Sequence, residues 1–303
     1  METETGKCVV PLQARGRRLL RNALRDAFNI PAAVFLLLSA IDALDTLRGR
    51  RGRMRPPKLL AALWGGSEFE HGGEWLLKSL IELADLRPDD RVLDVGCGIG
   101  RNAVPLTRYL SKTGSYEGFD IIRLAIEWNR RRISRSHPNF RFHFADIHNE
   151  QYTPGGKHRA YEYRFPYEDA SFDVVFLASV FTHMVSADTE HYLSEIARVL
   201  RPGGRYLATF FIINSESLSL QQAGRSRFRF IQQPEGHYLE YPYEAGIAHE
   251  EGWVRDAHTR SGLHFNGPIF YGNWCGREKF FHYQDIVVST KAKASSRSKR
   301  RPS

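Results

Sequence analysis

Apolar positions along the chain follow two alternating rhythms. Short runs rich in β-branched and aromatic residues read as strands at 92–95, 116–121, 140–147, 172–184 and 205–211. Between them, residues 102–111, the stretch around Leu124, Ala125 and Trp128, and residues 187–200 repeat their apolar positions every three or four residues, as helices do. Upstream, residues 65–86 read as a glycine-flanked turn and a helix that places Trp75, Leu76, Leu80, Leu83 and Ala84 on one face. Downstream, residues 250–261 form a helix stopped by Gly262, and 264–271 and 280–289 are the last two strands. Strand and helix in alternation predict an α/β architecture around a parallel sheet. The run at 172–184 is apolar at nearly every position, which suits a central strand buried on both faces.

Candidate chemistry concentrates in VLDVGCGIGR, residues 92–101. Gly96, Gly98 and Gly100 bare the backbone at alternate positions, so the turn can bend sharply and lie against a ligand. Arg101 stands where a dinucleotide-binding turn needs a small residue, which counts against a pyrophosphate site. Asp94 lies at the carboxyl end of its strand, where open α/β sheets bind ligands. Asp120 ends the second strand twenty residues past Gly100. Its two acceptor oxygens suit the hydroxyls of a ribose, the competing role being a helix N-cap.

The glycine segment resembles the acidic-x-G-x-G-x-G motif of class I S-adenosylmethionine-dependent methyltransferases, matched at Asp94, Gly96, Gly98 and Gly100. The order strand, helix, RPGG (201–204), strand is shared by many members. The likeness is nearest to bacterial small-molecule methyltransferases with a GCGIGR turn (96–101), an FTHM strand end (181–184) and a carboxyl hairpin bearing Gly276, Arg277 and YQD (283–285). It covers about residues 69–288. It implies a Rossmann-like, seven-stranded, mostly parallel sheet with an antiparallel C-terminal hairpin strand and helices on both faces. It also implies S-adenosyl-L-methionine as cofactor. In the resembled family the position of Asp146 meets the adenine amino group, the N–H of Ile147 reads a ring nitrogen, and Ile121 packs on the adenine. Phe69, beside Gly73, would border the cofactor from the preceding helix, with Cys97 and Ser179 at the same crevice.

Charge separates the ends from the middle. The formal net charge is +9, yet residues 1–60 hold 12 Lys/Arg against 5 Asp/Glu and residues 291–303 hold six basic residues and no acid, which leaves −4 for 61–290. A uniformly basic nucleic-acid-binding face is therefore not supported. The arginines at 130, 131, 132 and 135 read as a solvated helix face. Cys8, Cys97 and Cys275 are far apart, which argues against a disulfide framework and a zinc site; no metal is expected, and a reducing, cytoplasmic compartment is. The first ten residues lack a hydrophobic secretory core, so no signal peptide is expected. Residues 15–55 join a basic helix to an apolar run too short to span a bilayer; this segment packs on the protein or touches an anionic membrane surface peripherally.

The expected organisation is a basic helical extension (1–60), a methyltransferase domain (61–290) with insertions at 149–165 and 213–249, and a disordered basic tail (291–303). The longer insertion stands where the resembled family builds substrate lids, and its aromatics would shield a sulfonium. The expected activity is methyl transfer to a small-molecule or glycan-like acceptor, at oxygen. His183, just past the fourth strand, is the first candidate base, with His237, Tyr238 and Glu250 behind it. The missing [D/N/S]-P-P-aromatic motif and the missing Pro–Cys pair after that strand count against DNA amino-methylating and pyrimidine C5 enzymes; the alternatives are RNA or other nucleic-acid methylation through the basic ends, and a membrane-surface enzyme acting on a lipid-linked acceptor. No sequence pattern sets the oligomeric state.

Overall fold

The computed structural model describes residues 69–150, 152–234, 236–241 and 246–293, with Leu44, Leu47, Arg48 and residues 54–56 upstream. The chain divides into two compact units, residues 1–67 and 68–303. Most of the basic extension, including its membrane-contact segment, and tail residues 294–303 lie outside the described residues.

Seven strands form the main sheet: β1 (Arg91–Val95), β2 (Ser115–Asp120), β3 (Phe140–Phe144), β4 (Phe172–Leu177), β5 (Leu200–Phe210), β10 (Leu263–Phe265) and β11 (Asp285–Lys291). Their order is β10-β11-β5-β4-β1-β2-β3. The five central strands are parallel, and β11 runs antiparallel to both neighbours. Strand order reverses at β1, which pairs with β2 on one side and β4 on the other. Right-handed crossovers then put the helices leaving β1 and β2 on one face of the sheet and the helix leaving β4 on the other. Such a reversal opens a crevice at the carboxyl ends of β1 and β4. Helix α1 (Phe69–Ala84) precedes β1; α2 (Ala103–Tyr109) and α3 (Arg123–Asn129) link β1 to β2 to β3; α4 (Ser186–Val199) links β4 to β5. The sheet buries Leu93, Val95, Phe119, Val175, Leu177 and Phe210 in one continuous core.

Three expected elements are redrawn by hydrogen bonding that periodicity does not report. The expected strand at 172–184 stops at Leu177, because Ser179 turns into the left-handed region (φ 61°) and gives its N–H to Thr209 Oγ1 on β5; a 3₁₀ turn, Phe181–His183, follows. RPGG does not precede β5 but lies within it as a bulge, with Gly203 at φ 77°. The two last strands are shorter than expected, the first ending at Phe265 and the second starting at Asp285, since only Leu263–Phe265 and Asp285–Lys291 pair regularly.

The segment after β5 is a small fold of its own. Strands β6 (Ile212–Ile213), β7 (Arg229–Gln232), β8 (His237–Tyr241) and β9 (Ile247–Glu250) form a second sheet ordered β6-β9-β8-β7, with α5 (Ser215–Gln222) between β6 and β7. Helix α6 (Glu251–Arg260) then returns to the main sheet. Phe211, Phe230, Trp274 and Tyr238 pack into one local cluster.

One buried carboxylate ties this second sheet to the carboxyl hairpin. Asp285, wholly buried at the start of β11, accepts the N–H of Ile212 (2.7 Å), the N–H of Gly272 (2.7 Å), Trp274 Nε1 (2.6 Å) and Arg277 Nη1 (3.2 Å). Arg277 also donates to Glu216 and Asn214 at the start of α5. Burial still pushes the Asp285 carboxyl up to about 6, against the lowering effect of these donors. Asp285→Ala would leave a buried guanidinium and three N–H groups without their acceptor. We expect a loss of roughly 3–5 kcal/mol in urea-unfolding stability, with a smaller loss for Asp285→Asn.

Candidate active site

The glycine turn after β1 is left-handed at all three glycines: φ is 79° at Gly96, 50° at Gly98 and 80° at Gly100. Space gives a second reason for two of them. A Cβ on Gly96 would stand 2.4 Å from Val180 Cγ2, and one on Gly100 would stand 2.6 Å from both Asn129 Oδ1 and Ile133 Cδ1. At these positions the bared backbone is required by the protein's own packing, beyond any ligand. The contact at Gly96 also brings the chain just past β4 directly against the turn.

Asp94 is fully buried below the turn and accepts a 2.7 Å hydrogen bond from Tyr116 Oη. Its Oδ1 is buried without a hydrogen-bonded partner. Burial raises its carboxyl from 3.8 to about 7; Tyr116 opposes the rise, Asp120 adds to it, and Arg101 and Asn102 oppose it. Side chains alternate along a strand, so Tyr116, Gly118 and Asp120 share a face of β2. A Cβ on Gly118 would lie 3.0 Å from the Tyr116 hydroxyl and 2.9 Å from Cys97 Cβ, so only glycine lets the phenol reach Asp94.

Asp120, at the end of β2, accepts the N–H of Gly98 at Oδ2 (2.7 Å) and the N–H of Ile122 at Oδ1 (2.8 Å). Burial raises its carboxyl, and the N–H groups of Ile122, Gly98 and Ile121 restrain the rise. Each oxygen keeps a further lone pair. Asp120 thus braces the glycine turn through Gly98 and holds the N–H of Ile122, the residue at which the next helix opens.

The remaining expected residues separate into those at the crevice and those turned into the protein. The Cys97 side chain packs in the core against Gly118, and burial pushes its thiol well above the usual range. Phe69 is buried at the first position of α1. Gly73 lies against the chain itself, since a Cβ there would meet Arg101 O at 2.3 Å. Ile121 is partly buried on the main core. Asp146 follows β3, with Lys157 Nζ 3.8 Å from its carboxylate and its carbonyl accepting from the N–H of Lys157 and of His158. The Ile147 N–H, assigned by the resemblance to an adenine nitrogen, donates instead to Ala145 O (2.9 Å), in a tight turn closed by the Ile147–His158 bridge. Ser179 Oγ bonds Gln284 Oε1 (2.9 Å), tying the end of β4 to the carboxyl hairpin.

His183 closes the 3₁₀ turn three residues past Val180, with Tyr152 of the first insertion edge-on to its ring at 5.8 Å. The other candidate bases are placed differently. His237 and Tyr238 are buried on β8, and Glu250 is exposed at the end of β9. His249, which the sequence did not single out, is fully buried; its Nε2 lies 3.1 Å from Met184 O and its ring stacks on Trp253 at 4.6 Å. Burial lowers it to about 3, so it is neutral and anchors the second sheet to the turn holding His183. The aromatics of the second insertion pack with Phe211 and Trp274, Phe211 standing 5.4–5.5 Å from Phe228, Phe230 and Trp274, so they form the core of the second sheet. Among the described residues, no group of three or more His, Cys, Asp or Glu could hold a metal ion, and no helix is long and apolar enough to cross a membrane.

Comparison with known proteins agrees with this geometry. The family described as "Methyltransferase domain" matches residues 92–204, from β1 into β5. The chain is 28% identical over 238 residues to 27-O-demethylrifamycin SV methyltransferase of Amycolatopsis mediterranei (strain S699), covering 69% of this chain and 78% of that protein. It is 34% identical over 134 residues to methyltransferase GfsG of Streptomyces halstedii, covering 44% of this chain and 42% of the relative, less than half its length. Among solved structures, the PH0226 protein from Pyrococcus horikoshii OT3 superposes with a TM-score of 0.52 at 19% identity, covering 75% of this chain and 92% of that one, which is a likeness of fold. Residues 92–204 carry a methyltransferase domain, and the matches together support a class I S-adenosylmethionine-dependent methyltransferase. The crevice fits that cofactor: a left-handed glycine turn, an unpartnered buried oxygen on Asp94 and spare acceptor capacity on Asp120 are what a cationic, ribose-bearing ligand needs.

Removal of the Tyr116 hydroxyl tests the electrostatics. In Tyr116→Phe the Asp94 carboxyl should titrate above its present value of about 7, read by carboxyl ¹³C NMR. Because the folded-state value lies above the unfolded one, this group's contribution to stability is greatest at acid pH and is lost as the pH rises through about 7. The variant should lose about 1–2 kcal/mol at neutral pH and carry this pH-dependent loss to higher pH.

Proposed function

We propose that the protein transfers a methyl group from S-adenosylmethionine to an oxygen of a small-molecule or glycan-like acceptor held beneath the second sheet. The observation that carries this reading is the abutment of the β4 end on the glycine turn: Val180 covers Gly96, and His183 follows within one 3₁₀ turn. A base so placed would lie beside the reacting end of a cofactor seated on that turn. The printed name of the rifamycin relative, a methyltransferase acting on a 27-O-demethyl compound, supports oxygen as the attacked atom.

When bound, the cofactor supplies a methyl group already activated by its sulfonium. This chain's residues then have three tasks. Asp94 presents its unpartnered oxygen to the cationic end of the ligand, and Asp120 accepts from the ribose hydroxyls while bracing Gly98. Asp146 faces the adenine amino group, with Ile121 and Phe69 as apolar walls. His183 takes the proton of the acceptor hydroxyl, and Tyr152 and the lid keep water from the crevice.

Two variants test the assignment separately. Asp120→Ala should lose cofactor binding by calorimetry; unchanged affinity overturns the site. His183→Gln should bind adenosylhomocysteine like the wild type but transfer labelled methyl into a host extract roughly 10²–10⁴-fold more slowly. Wild-type transfer in that variant removes His183 as the base. Cofactor affinity should also weaken as the pH falls through about 7, where Asp94 gains its proton.

A further inference from the structure

We infer that Asn129 is a positioning residue for the cofactor turn, acting through the carbonyl of Gly98; the inference rests on the cofactor reading of that turn. Asn129 is the last residue of α3 and is fully buried. A buried amide in a helix facing a main-chain turn must have its hydrogen bonds accounted for. Its Nδ2 donates to Gly98 O at 2.8 Å. The N–H of the same glycine donates to Asp120 Oδ2 at 2.7 Å. Gly98 is therefore held on both sides, by a carboxylate from β2 and an amide from α3. A left-handed glycine with neither anchor could rotate its two peptides at little steric cost.

The helix is built to deliver this amide. Immediately after Asn129 the chain widens into a π turn, Arg130–Ser134, a geometry that recurs at functional sites. That turn brings Ile133 Cδ1 and Asn129 Oδ1 each to 2.6 Å from where a Gly100 Cβ would stand. Asn129 Oδ1 itself has no hydrogen-bond partner. A polar group kept buried with half its capacity unused costs stability, and an apolar residue of the same volume would avoid that cost. The donor to Gly98 is what an apolar residue cannot supply. Asn129 thus fixes the Gly98 peptide in the orientation that leaves Asp120 and the turn shaped for the ligand.

The test compares adenosylhomocysteine affinity, by calorimetry on the full chain, for wild type, Asn129→Asp and Asn129→Leu at about pH 8 and about pH 6. Asp94, Cys97 and Asp120 are the titratable groups of the elements packed against Asn129, with Arg130 beside it and Arg101 at the end of the turn. All are common to the three proteins, so the ratio to wild type at each pH isolates the new side chain. Asn129→Leu should melt near the wild-type temperature but bind roughly tenfold or more weakly at both pH values. Asn129→Asp should bind as weakly at the higher pH, where a carboxylate faces the carbonyl, and recover towards wild type at the lower pH, where the neutral acid donates to Gly98 O. Wild-type affinity in both variants at both pH values, or a pH-independent loss matched by a lower melting temperature, overturns the inference. Failure of the wild type itself to bind would instead overturn the cofactor reading.

Discussion

The hydrogen-bonded glycine turn after β1 is the constraint on which the rest of this structure depends. Gly96 and Cys97 both give their N–H to Phe119 O, Gly98 gives its N–H to Asp120, and Gly98 O receives Asn129. Every anchor belongs to β2 or to the helix leaving it. The turn is thus assembled only when β1 and β2 are in register, with Asp94 beside Gly118, and when α3 has packed back on the sheet. Sheet topology and ligand geometry are one requirement here: the parallel pairing that buries Leu93 and Phe119 also shapes the crevice. The left-handed conformation makes glycine necessary at three positions, and contact with Val180, Asn129 and Ile133 makes it necessary twice over at two.

The second insertion is held to this centre by polar ties placed under apolar cover. Asp285 and Arg277 join its root to the carboxyl hairpin, His249 joins it to Met184, and Ser179 joins β4 to Gln284. Ser179 has a backbone conformation that costs a residue with a β-carbon about 1–2 kcal/mol. Hydrogen bonds at both its N–H and its hydroxyl offset that cost. The sharp turn it makes lets Val180 cover Gly96 while His183 sits three residues on. A straight continuation of β4 would carry those residues away from the crevice, so local strain there has a positional purpose.

Much of this architecture is legible in the letters. Alternating periodicities gave the strand and helix order through β5, because elements buried on a regular face must repeat their apolar residues at regular intervals. Asp94, the glycines and Asp120 are legible because left-handed backbone and paired acceptors restrict residue type severely. The second sheet is not: its strands are two to five residues long and its aromatics bury against one another, so no amphipathic alternation marks them. Tyr116 and Asn129 were missed for a different reason. A tyrosine in a strand and an asparagine in a helix carry no periodic signal of their partner, and only the fold brings them to Asp94 and Gly98. The glycine inside β2 was the available clue, since an interior strand glycine marks close approach by another group. The Ile147 N–H marks the limit of carrying roles over by motif, for the residue type matches and its hydrogen bond does not.

Three of the buried carboxylates, Asp94, Asp120 and Asp285, show how one physical problem is given three solutions. Asp285 is surrounded by four donors, including a guanidinium, and its role is complete within the chain. Asp120 has one main-chain donor bonded to each oxygen and so keeps capacity for a ligand. Asp94 accepts a hydrogen bond from one phenol and keeps one oxygen without a hydrogen-bonded partner; Arg101 and Asn102 also favour its charge, yet burial holds its carboxyl up at about 7. The order of satisfaction runs opposite to the expected order of involvement with the ligand. A carboxylate buried for architecture is compensated within the fold, whereas one buried for binding is left under-compensated until a cation arrives. By that argument the Asp94 oxygen that lacks a hydrogen-bonded partner is where a positively charged ligand would gain from the chain's own charge.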